Sequence, residues 1–267
     1  MSISANRVFH VNVNCSDLDR SIGYYGKHAG LSPAARTRPV APQPGGAVGL
    51  EAAQWDAFMM TGWQGGAGPV VDLLEWKLPP PTGRPHATPV ALGFTRLLVT
   101  SPDVETSTVL TDPDGTLVQL EPGERPGLAG VVVGSSDLAR SRAFYSDIVG
   151  LEAGPQPLAV AGPARGTAAR LRDRAGAFAL ELVEWRSADR VPGPYPVANH
   201  LGIYRMALMT GDIEADYHTL QANGVVCVSP PATLDMGPGL PRLRALLFLD
   251  PDGTALELIE TPAGTDG

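Results

Sequence analysis

The side chains best suited to chemistry near the start of the chain are His10, Asn12 and Asn14, in the run Val8-Phe-His-Val-Asn-Val-Asn14. Strict alternation places all three, with Val8, on one face of a strand. An imidazole can give and take a proton near neutral pH and can also ligate a metal. Inward-facing amides are costly unless something meets them, so Asn12 and Asn14 are expected to meet a ligand or neighbouring backbone in a polar cup. Trp55, Met59, Trp63 and Trp76 lie beside Gly-rich stretches. Such residues usually fill cores, and their second use is as a flat wall for an apolar ligand. Four other histidines are expected to stand outside the chemistry: His28 and His218 on helix surfaces, His86 in a Pro-rich loop, and His200 just before a strand. Cys15 and Cys227 are isolated, which provides no disulfide framework and fits a reducing compartment.

The elements that must position these groups come from a duplication. Asp17, Leu18, Arg20, Ser21, Tyr25, Gly30 and Leu31 recur at a constant offset as Asp137, Leu138, Arg140, Ser141, Tyr145, Gly150 and Leu151. The spacing predicts a helix after the first strand, with Ser16 as N-cap, Asp19 near its N-terminus, an apolar stripe through Leu18, Ile22 and Tyr25, and Gly30 as terminator. Short strands around Val48–Leu50 and Trp55–Met60 and a fourth at Val70–Trp76 complete a βαβββ unit. A second unit starts at Leu92–Thr100 and passes almost directly to a hairpin whose turn is Asp112-Pro-Asp-Gly115. The pattern restarts at Leu128, with a fourth strand at Phe178–Trp185. It continues through Leu201–Thr210, a helix over Ile213–Gly224, and a hairpin turning at Asp250-Pro-Asp-Gly253. The second unit is some 29 residues shorter than the fourth, which is one helix and its flanks. Two modules are expected, residues 1–125 and 126–267, the first with a shortened second unit.

Composition narrows the function. Of 267 residues 43% are apolar and 18% charged, with a net charge of −8 and no cluster of Lys and Arg, which argues against a nucleic-acid partner. The N-terminus lacks a signal-like apolar core, and no apolar run reaches membrane-spanning length. The expectation is a cytoplasmic protein with a small-molecule ligand, no membrane association, and a monomeric or homodimeric state.

The Ser-Asp-Leu…Tyr-Tyr…Gly-Leu helix, the Leu-Glu-Leu type fourth strand and the terminal Asp-Pro-Asp-Gly-x-x-x-Glu hairpin together resemble the vicinal oxygen chelate superfamily. That superfamily contains glyoxalase I, bleomycin-resistance proteins and extradiol dioxygenases, and the resemblance spans nearly the whole chain. It implies an α+β fold of tandem βαβββ units forming two cup-shaped mixed sheets. It does not specify a reaction.

Metal-using relatives place ligands at four recurring positions, one on the first and one on the fourth strand of each paired unit. Carried over, the first module offers His10, Asp72, Arg96 and Gln119, and the second Gly130, Glu181, Arg205 and Glu257. Relatives of this kind often pair the first unit with the fourth and the second with the third. The resemblance then implies one cup with His10, Asp72, Arg205 and Glu257, and another with Gly130, Glu181, Arg96 and Gln119. His10, Asp72 and Glu257 are the candidate ligands of one divalent metal, Fe, Mn, Ni or Zn, although a guanidinium is no metal ligand and metal-free function is equally open. His10, Arg205 and Glu257 are the catalytic candidates, and Asn12, Asn14, Trp55 and Arg96 the substrate-binding ones. The implied function is a glyoxalase-like lyase, isomerase or dioxygenase acting on a small oxygen-rich molecule in specialised metabolism. The alternative is a non-catalytic protein that sequesters a toxic metabolite, as bleomycin-resistance proteins do.

Overall fold

The computed structural model describes residues 2–5, 7–155, 165–186 and 191–260. In chain order the first unit comprises β1 (Arg7–Asn14), α1 (Leu18–Ala29), β2 (Ser32–Thr37), β3 (Gln43–Pro44), β4 (Ala52–Thr61) and β5 (Val70–Leu78). The second has β6 (Gly93–Ser101), β7 (Thr108–Thr111) and β8 (Leu117–Pro122). The third has β9 (Gly127–Ser135), α2 (Leu138–Ala143, continued by a π turn over Phe144–Ile148), β10 (Glu152–Ala153), β11 (Arg165–Arg172) and β12 (Ala179–Arg186). The fourth has β13 (Gly202–Met209), α3 (Ile213–Ala222), β14 (Ala232–Leu234), β15 (Leu243–Leu249) and β16 (Ala255–Glu260).

These strands make two mixed sheets in an α+β fold. One runs β14-β15-β16-β13-β1-β5-β4-β2 with β3 on the flank of β4, and the other runs β10-β11-β12-β9-β6-β8-β7. The first unit is therefore joined to the fourth through antiparallel β1 and β13, and the second to the third through antiparallel β6 and β9. The link from β6 to β7 contains no helix, whereas α3 and β14 follow β13.

The repeated residues prove to be the scaffold that clamps the two sheets together. Asp17 caps α1 by accepting from Arg20 N, and Asp137 caps α2 by accepting from Arg140 N. Arg20 pairs with Asp114, and the buried Tyr25 hydroxyl donates to Asp112, both in the turn of the other sheet. Arg140 with Asp252 and Tyr145 with Asp250 repeat the arrangement in the reverse direction. Gly30 adopts φ 67° at the end of α1, a left-handed conformation that a side chain would disfavour. One large core, built from the inner faces of both sheets and from α1, α2 and α3, fills the space between.

Four local expectations change. The cap of α1 is Asp17, because Ser16 is committed elsewhere: its N–H and hydroxyl both donate to Asp114. The strand expected at Val48–Leu50 is a short 3₁₀ turn, Gly46–Val48. The Pro-bearing β2 was not anticipated, and it exists as an edge strand on β4, where a missing N–H is tolerated. Val8 does not share the face of His10. A register shift between them, with Phe9 bulged, turns Val8 into the core and leaves Phe9 and His10 on the concave side.

Candidate active site

The larger sheet holds a small cavity on the face that carries His10, and its position follows from strand register. His10 on β1 lies opposite Ala207 on β13, and Ala207 in turn lies opposite Glu257 on β16. On the other side of β1, Asn12 lies opposite Asp72 on β5. Side chains of one sign of the pleat thus converge from four strands: His10, Asp72, Arg205 and Glu257 are all buried and all line one cavity of about 40 Å³. Strand alternation extends the lining from Asp72 to Leu74 and Trp76, from Glu257 to Ile259, and along β4 through Trp55 and Met59.

At the base of this cavity a guanidinium ties two carboxylates together. Arg205 Nε donates to Glu257 Oε2 at 2.7 Å, and its NH2 group donates to Asp72 Oδ2 at 3.3 Å. Asn12 Nδ2 adds a bond of 3.2 Å to the same Asp72 oxygen. His10 Nε2 is 3.4 Å from Glu257 Oε2 and 3.9 Å from Asp72 Oδ2, near enough for charge interaction but without hydrogen-bond geometry. Burial would raise the carboxyl of Glu257, but Arg205 and His10 outweigh it and hold the group at about 2. Burial likewise opposes the charge on Arg205, and Glu257 and Asp72 overcome it, so that the guanidinium is held above its ordinary value. Both nitrogens of His10, Oδ1 of Asp72 and Nη1 of Arg205 have no hydrogen-bond partner among the described residues. A buried network left with open donors and acceptors at one cavity is arranged to meet a polar group from outside the chain.

This donor set does not fit a resident divalent metal. The fourth position carries Arg205, which offers no lone pair and is bonded to both carboxylates that the metal would need. Among the described residues no group of three or more His, Cys, Asp or Glu side chains is arranged to hold a metal ion.

Other expected site residues lie elsewhere. Trp55 lines the cavity, edge-to-face with Trp76, and donates from its indole to Thr37. Asn12 stands behind Asp72, bonded to its side chain and to its backbone carbonyl. Asn14 ties the loop before β13 to the sheet, donating to the carbonyls of Ala198 and His200 and accepting from Trp76. Neither amide is among the cavity-lining residues. Arg96 belongs to the smaller sheet, where it donates to Gln119. Trp76 and Met59, read from sequence as core residues that could also wall a ligand, do line the cavity. Phe9, Leu74, Leu234, Met236 and Ile259 line it too and were not proposed from sequence. Alternation from Asp72 and Glu257 could have found Leu74 and Ile259. Nothing in the Gly- and Pro-rich stretch around Met236 pointed to it.

With this geometry in place, comparison with known proteins is informative about descent. Residues 127–258 match the family model of the Glyoxalase/Bleomycin resistance protein/Dioxygenase superfamily. No curated protein matches the sequence. Among solved structures, glyoxalase I from Zea mays aligns over 96% of this chain and 92% of its own, with a TM-score of 0.67 at 20% identity. Its V278E mutant gives the same coverage and TM-score at 21% identity. A candidate dioxygenase from Bacillus subtilis subsp. subtilis str. 168 aligns over 98% of this chain and 87% of its own, with a TM-score of 0.65 at 14% identity. These likenesses concern the fold, which they extend across both halves. The chain is a two-module member of the glyoxalase/bleomycin resistance/dioxygenase superfamily, with the family match carried by its second module.

Proposed function

We propose that this protein is a metal-independent acid–base enzyme, a lyase or isomerase acting on a small carbonyl- or hydroxyl-bearing organic molecule. In this reading the cavity of the larger sheet is the active site, and Arg205, at a position where metal-using relatives place a ligand, itself supplies the positive charge. The observation that carries it is the geometry of Arg205. Two of its donors are fixed on Glu257 and Asp72, and Nη1, without a partner among the described residues, belongs to the cavity that His10 also lines. His10 is the proton carrier. Glu257, with a carboxyl held at about 2, is too weak a base for that task and remains an anion near the ring. Its charge and that of Asp72 stabilise the imidazolium that forms when His10 takes a proton from carbon next to a carbonyl. Arg205 Nη1 donates to the oxygen on which negative charge develops. The division into modules 1–125 and 126–267 is the footprint of the duplication, and the catalytic set draws on both.

A second reading, sequestration of a flat apolar compound, has one observation in its favour: most of the wall is Trp55, Trp76, Phe9, Met59 and aliphatic side chains. Incubation with small aryl ketones in D₂O separates the two. Deuterium incorporation next to the carbonyl, reduced at least about 100-fold by His10→Ala, is expected for proton transfer by a positioned base. Binding without exchange supports sequestration, and exchange undiminished in His10→Ala contradicts the proposed role of the imidazole.

A further inference from the structure

Two spaces meet at one side chain. The inner cavity, at about 40 Å³, has room for no more than a water or two, yet polar atoms without partners face it. Outside it lies an open groove of about 510 Å³ lined by Arg36, Arg38, Pro39, Val40, Gln54 and the segment Met236–Pro238. Met236 lines both. It is carried by the stretch 235–242 between β14 and β15, which crosses to the rim formed by the first unit. Arg38 N donates to Met236 O at 2.9 Å, while Asp235 N donates to Gln43 Oε1 at 2.8 Å and Gln43 Nε2 to Asp235 O at 2.9 Å. The two bonds with Gln43 are solvent-exposed. Gly237 has φ 110°, and a Cβ there would stand 2.5 Å from Arg38 O, so the close approach of strap and rim depends on glycine. A strap held by so few exposed bonds can lift without breaking a strand pairing of either sheet.

The two compartments carry opposite charge. Inside, Asp72 and Glu257 exceed Arg205 by one negative charge when His10 is neutral. In the groove, Arg36 and Arg38 share the single carboxylate of Asp56. Arg36 binds it in bidentate fashion at 2.8 and 2.7 Å, while Arg38 approaches only to 3.6 Å and its side chain is 62% exposed. The Gln54 amide is used on the carbonyls of Pro39 and Val40. Arg38 is thus the cation of the groove with donors to spare.

We propose that Met236 is the removable wall of a two-compartment site whose ligand spans both parts. Its planar apolar head carries a hydroxyl or carbonyl oxygen to the inner network, and its anionic tail rests on Arg38. This rests on the inner cavity being the working site and adds the substrate class: an oxygenated aromatic or similarly flat molecule bearing an acidic tail.

Calorimetric titration with 3-(4-hydroxyphenyl)propanoate and its neutral amide tests it. The acid binds about tenfold more tightly than the amide, the scale of one hydrogen bond to a charged group, and Arg38→Gln removes that preference. Met236→Ala strengthens both probes by on the order of tenfold by relieving the cost of opening, whereas Met236→Leu, which keeps the wall, does not. His10→Ala abolishes exchange chemistry but keeps the acid-over-amide ratio, so failure of the catalytic reading and failure of this one are distinguishable. Equal binding of acid and amide, a preference that survives Arg38→Gln, or no binding of either probe to Met236→Ala overturns the proposal.

Discussion

The two sheet faces descend from one duplication and keep an arginine (Arg205, Arg96) and an acid (Asp72, Glu181) at matching places. They differ in the imidazole, in the second acid and in what the shared groups bind. Where β1 presents His10, β9 presents Gly130, at which a Cβ would come 2.2 Å from Ala179 O. Where Met59 faces Asp72 across β4 and β5, Arg170 faces Glu181 across β11 and β12 and pairs with it. Where Arg205 is bonded to the carboxylate of Glu257, Arg96 is bonded to the neutral amide of Gln119. The smaller sheet therefore has no imidazole, and its acid is held by an arginine of its own. The clamps between helices and turns are the same in both halves. Duplication preserved what holds the sheets together and left one face with a buried network of imidazole, guanidinium and two carboxylates.

The largest expected effect tests that asymmetry through stability. Arg205→Met leaves two buried carboxylates without their cation and should cost about 3–5 kcal/mol in urea unfolding. Arg96→Met, which removes the bond to the Gln119 amide on the smaller face, is the matched variant and should not reproduce that loss. Equal losses would erase the distinction between the two faces.

Acid titration gives the next largest. Glu257 lies at about 2 in the folded protein against an ordinary 4.5, so its contribution is fully present above about 4.5 and is lost as pH falls toward about 2. This group alone accounts for on the order of 3 kcal/mol of that acid loss. Glu257→Gln should flatten the stability profile in that window, and an unchanged acid limb would show that Arg205 does not hold the carboxylate as described.

A smaller effect belongs to Gly130. Gly130→Ala forces a methyl onto a backbone carbonyl and should destabilise by about 1–3 kcal/mol, which makes the smaller sheet resistant to being given a histidine. Smallest are the clamps: Tyr25→Phe and Tyr145→Phe should each cost about 1 kcal/mol, with matching values expected because the two bonds are equivalent. A marked difference between them would mean that the halves are not equivalent scaffolds.

Much of this was legible from residues. The seven repeated positions and the two Asp-Pro-Asp-Gly turns announced the fold, because these identities serve caps, core contacts, buried rings, ion pairs and turns. The four residues of the network followed from the family resemblance and the cross-pairing of units. The bulge at Phe9 was invisible, since a register shift is decided by the neighbouring strand and leaves no mark in Val8-Phe-His10 itself. Asn12 and Asn14 were legible as amides needing partners, but their partners are Asp72 and the carbonyls of Ala198 and His200. The side chain at position 14 is separated from that loop by more than 180 residues, and only the folded chain reveals the contact. Met236 comes from a loop with no periodicity to read.

In the proposed mechanism the guanidinium of Arg205, rather than a metal, supplies the positive charge at the His10 cavity. That mechanism is tested most directly by measuring deuterium exchange into an aryl ketone before and after exhaustive dialysis against a chelator, with elemental analysis of the same samples. An unchanged rate is expected in protein free of transition metal, with loss of that rate in Arg205→Lys, whose ammonium cannot hold two carboxylates and still present a third donor in the same plane. A rate that disappears on dialysis and returns with one equivalent of a divalent metal would contradict the mechanism.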